Sequence, residues 1–381
     1  MSSRLIVNSI RHTGASGDAV TLANDGTCTA NITNNLSNRR LTINGAMTIA
    51  QRGDTASVTD GYGGCDRFKF VSSGAAVVTL KQDTGNTTQG FAKAQRIDVT
   101  TADSSLAAGD YALLSYRFEG QDLQQLKKGT ANAQQVTLSF YIKSPKTGTH
   151  IVELVDQSNS GRHVNKSYTV SSADTWEKKT VTFPMETSNT ITNDNARRMD
   201  LNWWLAAGST YSSGTLQTSW GADTNANRAV GQVNTMDNTS NDIYITGVQL
   251  EVSDHATDFE HRSYAQELEL CKRYFQVLVD SGNAESFGNA TGYNSTTIHF
   301  VTPLRPEMRT VPTLDYTNGT DYYGAYQNNT VDYFNDWTVV SNSHSRAVDI
   351  SAGGGVSITA GSSVLLRTTN AASKIRFSAE L

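Results

Sequence analysis

The residues best suited to chemistry are aromatic rings set among amides and carboxylates. From Asp315 to Trp337 the chain carries Tyr316, Tyr322, Tyr323, Tyr326, Tyr333 and Trp337 between Asn and Asp residues. A second set comprises Asn202, Trp203, Trp204 and the loop from Tyr211 to Trp220. Sugars present weakly apolar CH faces ringed by hydroxyls, and exposed rings flanked by Asn, Asp and Gln match both features. The 315–337 stretch is turn-rich and dense in tyrosine, which favours recognition at the surface, with packing between chains as the competing role. Trp203 and Trp204 are adjacent, and neighbours on a strand face opposite sides, so one of the two is expected in the core.

Covalent chemistry has weaker support. The chain has no Gly-x-Ser-x-Gly elbow, phosphate-binding loop, His-Glu-x-x-His or Cys-x-x-Cys. His255, Glu260 and His261 cluster in a connector, where packing and hydrogen bonding explain them better than a metal. A carboxylate pair for glycoside cleavage is defined by separation in space, which sequence does not give. The expectation is therefore a binding protein rather than an enzyme, with neither cofactor nor metal.

Positioning these residues requires sheets. The 381 residues are 37% hydrophobic and 18% charged, with abundant small and polar types, a mixture suited to strands and long loops. Between Asp242 and Val252, apolar residues alternate with polar ones, and the phase slips by one residue at Gly247, the mark of a bulge. Val136, Leu138, Phe140 and Ile142 define a buried strand face. From Ser263 the period changes: Tyr264, Leu268, Cys271, Phe275 and Leu278 follow a helical seam, and Ser263 with Gln266 forms a capping-box start. The polar segment Gly208–Asn241 reads as a loop or flap.

Several classes are disfavoured. A net charge of −5 argues against nucleic-acid binding. There is no apolar run of membrane-spanning length, and the start lacks the apolar core of a signal peptide. Cys28, Cys65 and Cys271 are far apart and odd in number, so reduced thiols are expected.

The runs GVQLEV, ATDFEHRSY and ELELCKRYFQ, between Gly247 and Gln276, resemble a joint common in bacteriophage tail-fibre and related virion proteins. The likeness extends to INGAMTIAQRGD (43–54), SLAAGDYALLSYRFEGQDLQQL (105–126) and ADTWEKKTVTFP (173–184), and PLRPEMRTVPTL (303–314) is similar to modules that follow such joints. The resemblance implies an all-β protein: a carbohydrate-binding-module-like jelly-roll sandwich, one linking helix and a smaller C-terminal β domain. The corresponding boundaries are 1–50 for an N-terminal attachment and oligomerisation segment, 51–262 for the sandwich, 263–279 for the helix and 280–381 for the last domain. It further implies a homotrimer on the surface of a virion, made in the host cytoplasm. The N-terminal segment would join other virion proteins, and a host cell-surface glycan would be the ligand. A capsid head fibre or a glycan-depolymerising tail spike is the alternative.

Overall fold

A computed structural model describes residues 7–30, 38–280 and 282–381. The protein is all-β, with a jelly-roll sandwich, a linking helix and a smaller C-terminal β unit. The sandwich has two six-stranded antiparallel sheets. One, here the back sheet, runs in the order Glu177–Phe183, Val136–Lys143, Asp242–Val252, Lys93–Thr101, Val77–Thr84 and Thr55–Val58. The other, the front sheet, runs Arg162–Val170, Gly148–Asp156, Arg197–Ala207, Tyr111–Glu119, Phe68–Ser73 and Asp60–Tyr62. Alternation fills the space between them. Val136, Leu138, Phe140 and Ile142 point inward as expected, and Phe140 meets Trp203 of the front sheet edge-on at 5.7 Å. The bulge at Gly247 is present: Ser139 pairs with Gln249, yet Tyr141 pairs with Thr246.

The sandwich begins earlier than residue 51. Ile43, Met47 and Ile49 are buried in its core, and the Tyr116 hydroxyl lies 2.7 Å from the Ile43 nitrogen as its acceptor. The Asn44 side chain bonds the carbonyls of Ile49 and Asp66. The expected 1–50 segment therefore divides. Its last ten or so residues are sandwich, whereas the strands described within residues 7–30 form a sheet of their own. There, Ser9–Ile10, Val20–Leu22 and Cys28–Ala30 pair as a small sheet, with Ile10 53% and Leu22 40% exposed.

The helix is Tyr264–Lys272, with the expected capping box at Ser263 and Gln266. It is shorter than 263–279, and its buried face differs from the apolar seam read from sequence. Glu267 and Cys271 are buried, Leu268 is half-buried, and Tyr264 is 62% exposed. Charge explains the rotation: Glu267 is drawn inward by the buried Arg40 guanidinium and by the Asn44 N–H at 2.5 Å. Phe275 and Leu278 fall on the following strand, Phe275–Asp280.

That strand joins Lys374–Ser378 and Thr313–Tyr316 in a three-stranded sheet. A seven-stranded sheet completes the C-terminal unit, in the order Thr330–Phe334, Tyr323–Gln327, Ser363–Thr368, Ser286–Gly292, Ile298–Pro303, Ala347–Ala352 and Thr338–Val339. Val356–Thr359 is a loop. Sandwich and C-terminal unit meet through buried charge. Glu119 accepts two bonds of 2.8 Å from Arg273 and one of 2.5 Å from the Tyr274 hydroxyl. Removing one partner of such a buried group leaves uncompensated charge. Glu119→Ala is expected to destabilise the chain by about 3–5 kcal/mol, read by denaturant unfolding. A loss below about 1 kcal/mol would show that this junction is solvated.

Candidate functional site

The aromatic stretch 315–337 does not present its rings as expected. Tyr323 and Trp337 are 0% and 3% exposed, and with Phe334 they form the centre of the C-terminal core. Trp337 lies 4.9 Å from Phe334 and 5.8 Å from Tyr323, both near-perpendicular. The Tyr323 hydroxyl sits 2.7 Å from the Lys374 carbonyl oxygen. A unit of this size fills its core with a few large rings. Tyr316 and Tyr322 are half-buried against that core, and Tyr326 lies under the Arg367 guanidinium at 4.9 Å. Of the six, Tyr333 alone is broadly exposed, at 44%.

The second set lies differently. Trp203 enters the sandwich core, and Trp204 points to the outer face of the front sheet. Both are buried, Trp203 by the core and Trp204 because the Gly208–Asn241 flap folds back over part of that face. Arg228 of the flap grips Glu153 of the sheet through bonds of 2.6 and 2.8 Å, and Asn202 adds a third at 3.0 Å. Beneath this latch Trp204 packs with Leu113, Ile151 and Ala229, and the Tyr211 ring of the flap lies tilted against it at 5.5 Å.

Beside the flap the face stays open as a groove of about 240 Å³. Ser115 and Asn202 line it from neighbouring strands, Tyr111, Tyr211 and Trp204 supply rings, and Arg117, Arg197, Asp200 and Gln157 supply charge and amide. Asp200 accepts from Arg197 Nε at 2.7 Å and from Gln157 Nε2 at 2.6 Å, so both groups are held in place. Burial works against the charge on Arg197, and Asp200 overcomes it, raising its pKa above the ordinary value. Burial, reinforced by Tyr211 and Asp60, pushes the Tyr111 pKa up, so its hydroxyl stays a donor. Ser115, 3% exposed, lines the groove, and the buried Trp204 indole N–H has no hydrogen-bond partner among the described residues. Fixed polar groups and two half-exposed tyrosines suit a hydroxyl-rich ligand. Asp200 and Glu153 each hold a guanidinium, that of Arg197 and that of Arg228.

Asn202, Trp204 and Tyr211 belong to a region singled out from sequence. Tyr111, Ser115, Arg117, Gln157, Arg197 and Asp200 do not, since strand pairing alone brings them together. The polar alternation of Asp200, Asn202 and Ser115 on otherwise apolar strands was the available signal.

No family model matches the chain, and no curated protein matches it significantly. Among solved structures it is similar to the enzymatically active domain of bacteriophage CBA120 tailspike protein 4, at 13% identity and TM-score 0.28, over 49% of this chain and 19% of that one. It is also similar to the family 11 carbohydrate-binding module of a Clostridium thermocellum cellulosomal cellulase, at 14% identity and TM-score 0.28, over 53% and 95%. A third likeness is to the C-terminal family 22 carbohydrate-binding module of Clostridium thermocellum Xyn10B, at 12% and 0.26, over 49% and 88%. The chain spans about a fifth of the tailspike structure (19%). Scores this low carry no argument about the site, which rests on its own geometry.

The flap has a titratable pin. His163 is fully buried, and the Thr224 N–H donates to its Nε2 at 3.2 Å. Its Nδ1 lies 2.9 Å from the Asn165 side-chain nitrogen, which donates to the Asn227 carbonyl of the flap at 3.3 Å. Burial lowers the His163 pKa below 6.5, with Glu153 opposing and Arg228 assisting. The folded state thus disfavours a proton that the unfolded chain binds. The stabilisation is complete above the unfolded value, 6.5, and is lost as pH falls below it towards the lowered folded value. Burial shifts His150 in the same direction. Melting temperature is expected to fall between about pH 7.5 and 5.5, and His163→Gln to flatten part of that fall. An unchanged slope in the variant would show that the flap is not held through a neutral ring.

Proposed function

We propose that this protein is a virion attachment protein, a phage tail fibre that holds a host-surface glycan in the groove on the front sheet. The observation that carries this reading is the groove itself, where tyrosine rings stand beside polar groups held in place, with Asp200 fixing Arg197 and Gln157. The tail-fibre part rests on the resemblance of the joint between Gly247 and Gln276. The receptor surface is thereby moved from 315–337 to the sandwich, with Tyr333 the remaining candidate of the first region.

Assembly as a homotrimer, attached to other virion proteins through the N-terminal segment, follows from surface left uncovered. The N-terminal sheet exposes Ile10 and Leu22, too little core to stand alone. A separate cleft of about 780 Å³, lined by Leu41, Ile43, Leu270 and Tyr274, runs along the helix. Light scattering is expected to report three copies, and a clean monomer at micromolar concentration would refute the trimer.

Tyr211→Ala is expected to weaken binding of the purified chain to host cells about five- to thirtyfold, the effect of one good aromatic anchor. Tyr333→Ala is expected to leave it unchanged. The reverse pattern would return recognition to the C-terminal unit.

A further inference from the structure

The back sheet has an opening of its own, on the side of the sandwich opposite the groove. It measures about 350 Å³ and lies over Val136–Lys143 and Asp242–Val252, where the bulge interrupts the ladder. Gly247 takes a φ of +62° there, and a Cβ would stand 2.8 Å from Phe91 Cζ and 3.0 Å from Tyr141 Cδ2. The bulge thus seats the backbone directly against two rings, a fit that a larger residue would destroy.

Phe91, 2% exposed, is the hub beneath. Tyr141 lies 5.4 Å from it, Phe259 stands edge-on at 4.9 Å, and His261 stacks at 5.5 Å. Three rings are therefore held around one opening by a fourth that is buried. Ser139, 4% exposed, also lines the cleft, and its hydroxyl has no partner among the described residues. The Tyr141 hydroxyl donates to Gln89 Oε1 at 3.0 Å, which leaves its oxygen free to accept. Asp258 and Lys178 border the cleft, and neither side chain is hydrogen-bonded among the described residues.

We propose that this cleft is a second saccharide site, walled by Tyr141, Phe259 and His261 and supplied with polar contacts by Ser139, Asp258 and Lys178. The inference rests on the reading of the protein as a glycan binder. Rings combined with unused hydroxyl, carboxylate and ammonium groups match a sugar unit, and the volume lies at the lower end for a small-ligand site. A peptide strand fits poorly. Val136–Lys143 already pairs on both sides, with Glu177–Phe183 and Asp242–Val252, and presents no free edge for strand addition. Two sites on opposite faces would let one chain bridge two glycans, raising avidity without tighter contacts.

The test uses the full chain labelled with 3-fluorotyrosine. Tyr141→Phe and Tyr211→Phe spectra assign the two reporter signals. The labelled protein is titrated with maltohexaose, cellohexaose and an alginate hexasaccharide. Both signals are expected to shift with at least one of these, with separate saturation curves. Calorimetry with that sugar should give two equivalents per chain, falling to one in Tyr141→Ala. Movement of the Tyr211 signal alone would overturn the second site and leave the groove intact. Movement of the Tyr141 signal alone would uphold the cleft and overturn the groove as the binding surface. If neither moved with any of the three, both assignments would fall.

Discussion

The arrangement depends on a buried guanidinium at the meeting of the two β units. Arg67, 2% exposed, stacks 3.4 Å over the Tyr274 ring, pairs with Glu380 and donates to the Arg117 carbonyl at 2.8 Å. Burial opposes its charge, and Glu380, with Tyr274 adding, overcomes that opposition, so its pKa lies above the ordinary arginine value. Beside it, Glu119 gathers Arg273 and Tyr274. Ion pairs of this kind add little net stability over a well-packed apolar equivalent, but they tolerate only one geometry. Their effect here is to set the C-terminal unit in a single orientation on the sandwich, with Arg309 fastening the carbonyls of Ala379 and Glu380.

The same strand that ends at this joint builds the groove. Along Tyr111–Glu119, Leu114, Tyr116 and Phe118 face the core, Tyr111, Ser115 and Arg117 line the groove, and Glu119 enters the ionic cluster. Arg197–Ala207 repeats the division, with Met199, Leu201 and Trp203 inward and Asp200, Asn202 and Trp204 outward. Period-two alternation thus couples packing to ligand chemistry. A slip of one residue in either strand would exchange core for groove.

What was legible in the sequence was what is local. The Val136–Ile142 face, the Gly247 bulge, the capping box at Ser263 and the flap character of Gly208–Asn241 each rest on neighbouring residues. The sandwich boundary was not legible, because Ile43, Met47 and Ile49 gain their burial from strands far along the chain. Nor was the helix face, since the buried Glu267 is held by Arg40 and Asn44, both well over two hundred residues away (227 and 223). The tyrosines of 315–337 misled for a related reason. Ring density is the same whether rings face a ligand or fill a small core, and strand register decides between them. The groove was half legible, its flap side from the Asn202–Trp220 region and its opposite side only from sheet order.

The central claim is that glycan meets this protein on the front sheet beside the flap. Amide hydrogen exchange of the full chain, with and without saturating host surface polysaccharide, addresses it without presuming any single residue. The account predicts slowed exchange in the flap around Tyr211–Arg228 and at the two central front-sheet strands, Tyr111–Glu119 and Arg197–Ala207. Protection confined to the C-terminal unit, with these segments unchanged, would contradict it.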